Sequence, residues 1–410
     1  MRVTIRPSIA RGRVTAPPSK SMAHRLTIGA GLAAGESAIR PIVFSDDIDA
    51  TLNALSAFGA DVERRKDGVR LMGLDPRHSA VQSPIDCHES GSTLRFFIPL
   101  ALLSDQDVTF TGAARLMQRP QTVYEALAEE KGFVFERGAD RIHVRGPLRP
   151  GVYRIPGDVS SQFATGLLYT LPLLNGESRL IVEEPVESRP YLALTLDALS
   201  QLNIDIDTVA PYTYRIPGNQ IYRAGAFTVE GDYSNAAPFL AFNFLGGHVA
   251  VVGLTEPTLQ GDARAEAHMR AIVKGTPEIS LRDCPDLGPL LFALAGLFHG
   301  ATFTDAARLR DKESDRVGAM AQELEKCGIR IEAREGRVCV EGGHAHAPVE
   351  ELDGHNDHRI VMALCVVLSK LGGTINGAQA VRKSFPNFFE QLRFIGIDAH
   401  LYDDGKQESL

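Results

Sequence analysis

Six times along this sequence a polar cluster of Ser, Asp, Asn or Lys runs into an apolar stretch of 10 to 14 residues, then a Gly-containing turn, then a short β-branched strand. The copies open at Ser19 (SKSMAHRLTIGAGLAAGES), Glu89 (ESGSTLRFFIPLALLSDQDVTF), Val159 (VSSQFATGLLYTLPLLNGESRLIV), Tyr233 (YSNAAPFLAFNFLGGHVAVVG), Cys284 (CPDLGPLLFALAGLFHGATF) and His355 (HNDHRIVMALCVVLSKLGGTING). A period of about 70 residues means that one supersecondary unit recurs and that neighbouring copies share a core. Each opening reads as a helix N-cap and each end as a glycine helix stop. The helices are apolar nearly all round, so they are expected to be buried.

Between these copies lies a second pattern, an amphipathic helix followed by a hairpin, starting at Asp47, Arg119, Arg189, Ala263, Lys312 and Phe385. In the copy from Lys312, Val317, Met320, Ala321 and Leu324 fall on one helix face. Turn residues such as Lys66, Asp67 and Gly68, or Glu335 and Gly336, then close strands of alternating polarity. The sum is an α/β chain of six βαβαββ-like units, three per domain, with the fourth truncated near Gly261 to Pro277. A length of 410 residues fits two domains of about 200 residues each, and so a cleft.

Six helix starts carry a chemical implication. Unpaired N–H groups and about half a positive charge at each helix N-terminus favour phosphate or carboxylate. Lys20, Ser21 and Arg25 open the first helix, and Ser160, Ser161 and Gln162 the third. Asp286 sits in the fifth start, while Asp357, His358 and Arg359 open the sixth. Ser and Asp cap helices in most proteins, but capping does not require Lys20, Arg25, Arg119, Arg316, Arg359 and Lys383 near unit boundaries. Arg suits bidentate recognition of phosphate and carboxylate, and Lys acts as a compact charge. The second and fourth starts show little basic character.

Composition narrows the ligand. A formal net charge of −8 opposes general nucleic-acid binding, so any anion site is local. The richest apolar segment, Leu290 to Phe298, is far shorter than the roughly 20 residues of a membrane span. With no apolar leader at the N-terminus, a cytoplasmic protein is expected. Cys87, Cys284, Cys327, Cys339 and Cys365 are odd in number without CxxC spacing, which predicts buried thiols rather than disulfides or a zinc ribbon. Asp403 to Leu410 reads as a loose tail.

The motifs PPSKSMAHR at 17–25, SGSTLR at 90–95, RLMQRP at 115–120, GDVSSQF at 157–163, KESDR at 312–316, NDHR at 356–359 and KSFPNFFEQL at 383–392 resemble the enolpyruvyl transferase family, and within it the EPSP synthase branch. The resemblance runs from about Ile9 to Leu401. It implies an inside-out α/β barrel-like architecture with the active site in the interdomain cleft. One domain would comprise residues 1–19 and 233–410, the other residues 20–232, with crossovers near Ser19 and Tyr233.

The implied reaction moves the enolpyruvyl group of phosphoenolpyruvate onto the 5-hydroxyl of shikimate 3-phosphate, a step of chorismate and aromatic amino-acid synthesis, with no cofactor and no metal. Carried over by motif, Lys20, Ser21, Arg25, Ser160, Ser161, Ser188, Asp286 and Lys312 hold shikimate 3-phosphate. Lys20, Gly91, Arg119, Gln162, Arg316, Arg359 and Lys383 hold phosphoenolpyruvate. Asp286 matches the proton acceptor and Glu313 the acid at carbon, with Lys20 as a third participant. The partners implied are these two small molecules, with neither nucleic acid nor membrane, and the enzyme is expected to be a monomer. Glu89 stands where many relatives carry Asn, and Arg308 or its neighbour stands near a position often occupied by Asn.

The same residues bear on other readings. The sister enzyme acting on UDP-N-acetylglucosamine typically has a cysteine just before the Arg-Pro of the second helix, and Gly112 to Arg119 contains none. A non-catalytic anion-binding protein on this fold would not need Lys20, Asp286 and Glu313 together. KESDR alone also fits an ordinary solvated helix start with an i, i+3 pair. His344, His346, His355 and His358 raise a metal hydrolase, but without HExxH or a Cys partner they read as exposed or capping histidines.

Overall fold

A computed structural model describes residues 1–403 and the backbone of 406–407. The chain forms two compact units, one of residues Pro18–Glu230 and one of Met1–Pro17 with Gly231–Leu410. Each has its own hydrophobic core.

Within Pro18–Glu230 the repeat appears as three four-stranded sheets. In the second copy, Ile85–Asp86 runs parallel to Val108–Thr111, which pairs antiparallel with Arg141–Arg145, itself paired with Val134–Arg137. Val108, Phe110, Ile142 and Val144 face inward and are fully buried, while Thr109 and His143 between them are only half-buried. That period-2 alternation sets the register. The third copy repeats the order with Val152–Pro156, Ser178–Glu183, Thr213–Ile216 and Asp207–Ala210. In the first copy the parallel strand beside Gly35–Arg40 is Ala226–Thr228, from the far end of the unit. Its exit is tied to the first helix by Ser19 N–H donating to Glu230 C=O at 2.7 Å.

The other unit is permuted in the same way. Its fifth copy is complete, with Glu278–Ser280, Ala301–Thr304, Arg337–Val340 and Ile331–Arg334 in one sheet. The sixth borrows the N-terminal strand Arg2–Ile5, which lies between Gly373–Asn376 and Ala399–Asp403. The fourth is a two-stranded parallel pair, Arg11–Thr15 with His248–Val252, and lacks the hairpin, as its truncated sequence implies.

The six apolar stretches are the helices Lys20–Gly31, Gly91–Ala101, Ser161–Thr170, Tyr233–Phe242, Gly288–Leu297 and His358–Leu371. Ser19, Ser90, Ser160, Asp232 and Asp357 cap five of them, each side chain accepting a backbone N–H of the first turn. The fifth departs from expectation. A short 3-10 turn, Pro285–Leu287, precedes it, and no side chain caps it.

Other expectations need correcting. Helix Gly91–Ala101 stops at Leu102 without a glycine, because its sequence carries Ser104 and Asp105 there instead. Cys339 is exposed, whereas the other four cysteines are buried. Asp403 ends a regular strand that pairs with Lys406–Gln407, so the tail is not loose from its start; positions 404–405 and 408–410 lie outside the described residues. No helix among the described residues is long and apolar enough to cross a membrane.

Helices Gly91–Ala101 and Ser161–Thr170 pack closely at Gly166. A Cβ there would lie 2.4 Å from Arg95 C=O and 2.6 Å from the Tyr124 hydroxyl, which itself donates to Arg95 C=O at 2.6 Å. Gly166→Ala is therefore expected to lower stability by about 2 kcal/mol through overpacking. Differential scanning calorimetry should show this as a fall of roughly 4–8 °C in the transition of the unit Pro18–Glu230.

Candidate active site

In the unit Pro18–Glu230 the buried cation Arg25 organises the first and third helix starts. Its Nε donates to Thr195 Oγ1 at 2.9 Å and its guanidinium reaches Ser21 C=O at 2.8 Å, Tyr191 C=O at 3.0 Å and Thr165 Oγ1 at 3.4 Å. None of these described partners carries a negative charge, and burial lowers the pKa of the guanidinium. A buried charge satisfied only by neutral dipoles keeps its field, which favours an anion nearby. Lys20, one residue before Ser21, donates to Asp47 at 2.6 Å.

Ser160 and Ser161 begin the third helix at the C-terminal end of strand Val152–Pro156. Ser188 follows the neighbouring parallel strand, and Glu187 N–H donates to Gly157 C=O at 3.1 Å, joining the two loops. Ser188 is buried with φ of +55°, a left-handed conformation that serine seldom adopts. Such an outlier costs about 1 kcal/mol or more and is characteristic of binding loops.

The second helix start gathers the residues expected around phosphoenolpyruvate. A Cβ on Gly91 would lie 2.4 Å from Arg119 Nη1, so a side chain there would displace that guanidinium from the helix start. Arg95 donates to Gln162 Oε1 at 2.8 Å and to Pro120 C=O at 2.8 Å, and stacks over Phe163 at 4.6 Å. Gln162 in turn donates to Ser92 Oγ at 3.1 Å. This start is basic after all, through Arg119 from a neighbouring loop and Arg95 one turn inside the helix. Arg95 lies within SGSTLR, but its role shows only once Gln162 is brought against it.

In the other unit Arg316 is almost fully buried, at 1% side-chain exposure, against three carboxylates. Its Nη1 meets Asp286 at 2.8 Å, Nη2 meets Glu313 at 2.8 Å and Nε meets Asp357 at 2.9 Å. Asp286 also faces Lys312 at 3.5 Å and Arg359 at 3.6 Å. Arg359 donates to Asn235 Oδ1 at 3.1 Å, at the fourth helix start, and Lys383 to Asn356 C=O at 2.5 Å. The fourth start thus acquires its cation from the sixth repeat.

Charge balance sets the proton affinities. Burial alone would raise the Asp286 pKa, but Lys312, Arg316 and Arg359 together hold it well below the usual carboxylate range. Burial lowers Lys312 to about 8 against the pull of Asp286, and Arg308 adds to the lowering by standing nearby. Asp262, hydrogen-bonded by Ser234 Oγ, is raised to about 7 by burial and by the charge of Asp286. Neither Asp262 nor Asn235 was singled out from sequence, since nothing in QGD or YSN separates them from ordinary capping residues.

The structure therefore brings Lys20, Ser21 and Arg25 together, and likewise Gly91, Arg119 and Gln162. Ser160, Ser161 and Ser188 lie on joined loops. Asp286, Lys312, Glu313, Arg316 and Arg359 form a third set, with Lys383 beside it on Asn356. Of the four clustered histidines, His358 is buried in a helix start rather than exposed, and His355 is bonded to Glu323 at 2.8 Å. Among the described residues no group of three His, Cys, Asp or Glu is placed to hold a metal.

Residues 6–392 match the family model described as EPSP synthase (3-phosphoshikimate 1-carboxyvinyltransferase). The chain belongs to this family. A 3-phosphoshikimate 1-carboxyvinyltransferase of Clostridium kluyveri is 38% identical, with 98% of this chain and 99% of that protein covered. One of Clostridium novyi is 36% identical over 96% of this chain and 97% of its own length. An EPSP synthase structure from Acinetobacter baumannii shares the fold with a TM-score of 0.78 at 23% identity, covering 98% and 100% of the two chains. The enolpyruvyl transferase NikO from Streptomyces tendae does so at 0.76 and 14% identity, covering 97% and 98%.

A carboxylate held below its ordinary pKa by the fold contributes stability above that ordinary value, and loses it as pH falls through the lowered one. Asp286→Asn should thus destabilise the protein at pH 7 by about 2 kcal/mol or more, since it leaves three largely buried cations short of one charge. In urea unfolding, the difference from wild type should persist at neutral pH and shrink below about pH 4.

Proposed function

We propose that this chain transfers the enolpyruvyl group of phosphoenolpyruvate to the 5-hydroxyl of shikimate 3-phosphate, releasing phosphate, as an alkyl-type transferase of the shikimate pathway. The observation that carries this reading is Asp286, one carboxylate facing Lys312, Arg316 and Arg359 beside Glu313. On this reading the two sets of residues, one in each unit, serve the same pair of substrates.

Shikimate 3-phosphate falls to Lys20, Ser21, Arg25, Ser160, Ser161, Ser188, Asp286 and Lys312. Phosphoenolpyruvate falls to Lys20, Gly91, Arg119, Gln162, Arg316, Arg359 and Lys383. The reaction needs a proton taken from the 5-hydroxyl and one delivered to the methylene carbon, giving a tetrahedral ketal that collapses with loss of phosphate. Asp286 is assigned to the hydroxyl, Glu313 to the carbon, and Lys20 remains within the proton-carrying set.

The low proton affinity of Asp286 in the free protein makes it a weak base. Substrate phosphate and carboxylate placed on Lys312, Arg316 and Arg359 would offset the charges that lower it, so Asp286 gains basicity when both anions are bound. Substrate binding thereby switches the base on. On this reading the enzyme acts as a cytoplasmic monomer.

A coupled phosphate-release assay tests the reading. Release from phosphoenolpyruvate is expected with shikimate 3-phosphate and not with UDP-N-acetylglucosamine; turnover with the UDP-sugar alone would sink it. The free-enzyme profile of kcat/KM for shikimate 3-phosphate should fall as pH rises through about 8, as Lys312 loses its charge. In Lys312→Arg, which stays protonated, that alkaline limb should vanish even if the overall rate drops.

A further inference from the structure

Glu323 lies seven residues after Arg316 on the helix Arg316–Glu325, is fully buried, and has no part in the chemistry above. Its carboxylate is nonetheless saturated. Oε1 accepts His355 Nε2–H at 2.8 Å, and Oε2 accepts Lys326 Nζ at 2.9 Å and Asp353 N–H at 2.8 Å. Asp353 returns the favour by accepting His355 N–H on Oδ1 at 2.6 Å.

These bonds fix a loop that the backbone does not favour. His355 and Asn356 are consecutive non-glycine residues in the left-handed region, with φ of +48° and +50°. A residue held there persists only where its surroundings over-determine it. Next come the groups that matter. Asn356 C=O accepts Lys383, Asp357 accepts Arg316, and Arg359 follows in the first helical turn. The charged groups facing His355 are Glu323 and Lys326 from the helix side and Asp353 from the strand. The hydrogen bond to Glu323 raises the His355 pKa.

We propose that Glu323 and His355 form a latch that holds the strained loop Gly354–Asp357, and through it positions Lys383 and Arg316 for phosphoenolpyruvate. They are positioning residues, not catalytic ones. The assignment of Lys383 and Arg316 to phosphoenolpyruvate rests on the function proposed above, but the latch itself does not.

Two measurements on the full chain separate these. The first is acetic anhydride labelling read by peptide mass spectrometry without substrate. Lys383 labelling should rise at least about threefold in His355→Ala and Glu323→Gln, with Lys20 labelling unchanged, because rupture of the latch releases the carbonyl that Lys383 holds. The second is steady-state kinetics. KM for phosphoenolpyruvate should rise about tenfold in His355→Ala, with kcat and KM for shikimate 3-phosphate within about twofold of wild type. His355→Gln, whose amide can still donate to Glu323, should recover most of the loss. Lys383 labelling equal to wild type in both variants would overturn the latch, as would equal rises in KM for both substrates. A wild type inactive on this substrate pair would instead overturn the function while the labelling still judged the latch.

Discussion

Arg316 buried against Asp286, Glu313 and Asp357 is the interaction on which the rest of its unit depends. It joins three separate stretches: the fifth helix start, the loop after Ala301–Thr304, and the sixth helix start. Removing a guanidinium from water costs several kcal/mol, and only well-placed carboxylates offset it. Hydrogen bonds complete the arrangement, with Ser314 donating to Asp357 at 3.0 Å. Once Arg316 is fixed in this way, Asp286 must share the remaining field with Lys312 and Arg359. That sharing makes its proton affinity responsive to any anion that binds there.

The helix starts divide the labour. Five are closed by a side chain that spends its oxygen on the first turn, leaving backbone N–H groups and neighbouring side chains to meet a ligand. The fifth is not closed, and its acid is thereby left for the cations around it. In the unit Pro18–Glu230 the corresponding constraint is Arg25, a buried charge with neutral partners. One cluster carries its own carboxylates, whereas the partners of Arg25 are hydroxyls and backbone carbonyls.

Much of this was legible in the sequence. The sixfold apolar period marked the buried helices, and the hairpin turns marked the strands, because both arise from local patterning. The permutation was not legible. Arg2–Ile5 and Ala226–Thr228 complete sheets whose other strands are distant in the chain, and no local pattern records such pairing. The KESDR and NDHR motifs flagged Glu313, Arg316 and Arg359, but not that Asp357 serves Arg316 as well as its own helix. Arg95, Asn235 and Asp262 were missed for the same reason, since each acquires meaning from a side chain in another repeat. Likewise the fourth start reads as neutral because its cation, Arg359, arrives from the sixth repeat, and the second because Arg119 comes from a neighbouring loop and Arg95 sits one turn inside the helix.

The central claim is that the helix starts of both units are the seats of the two substrates. Amide hydrogen exchange, with and without shikimate 3-phosphate and phosphoenolpyruvate together, tests it most directly. Slowed exchange is expected at the starts around Lys20–Ala23, Gly91–Thr93 and Ser161–Phe163 in one unit, and around Asp286–Gly288 and His358–Ile360 in the other. Protection confined to one unit, or falling on the outer hairpins and leaving these starts unchanged, would contradict it.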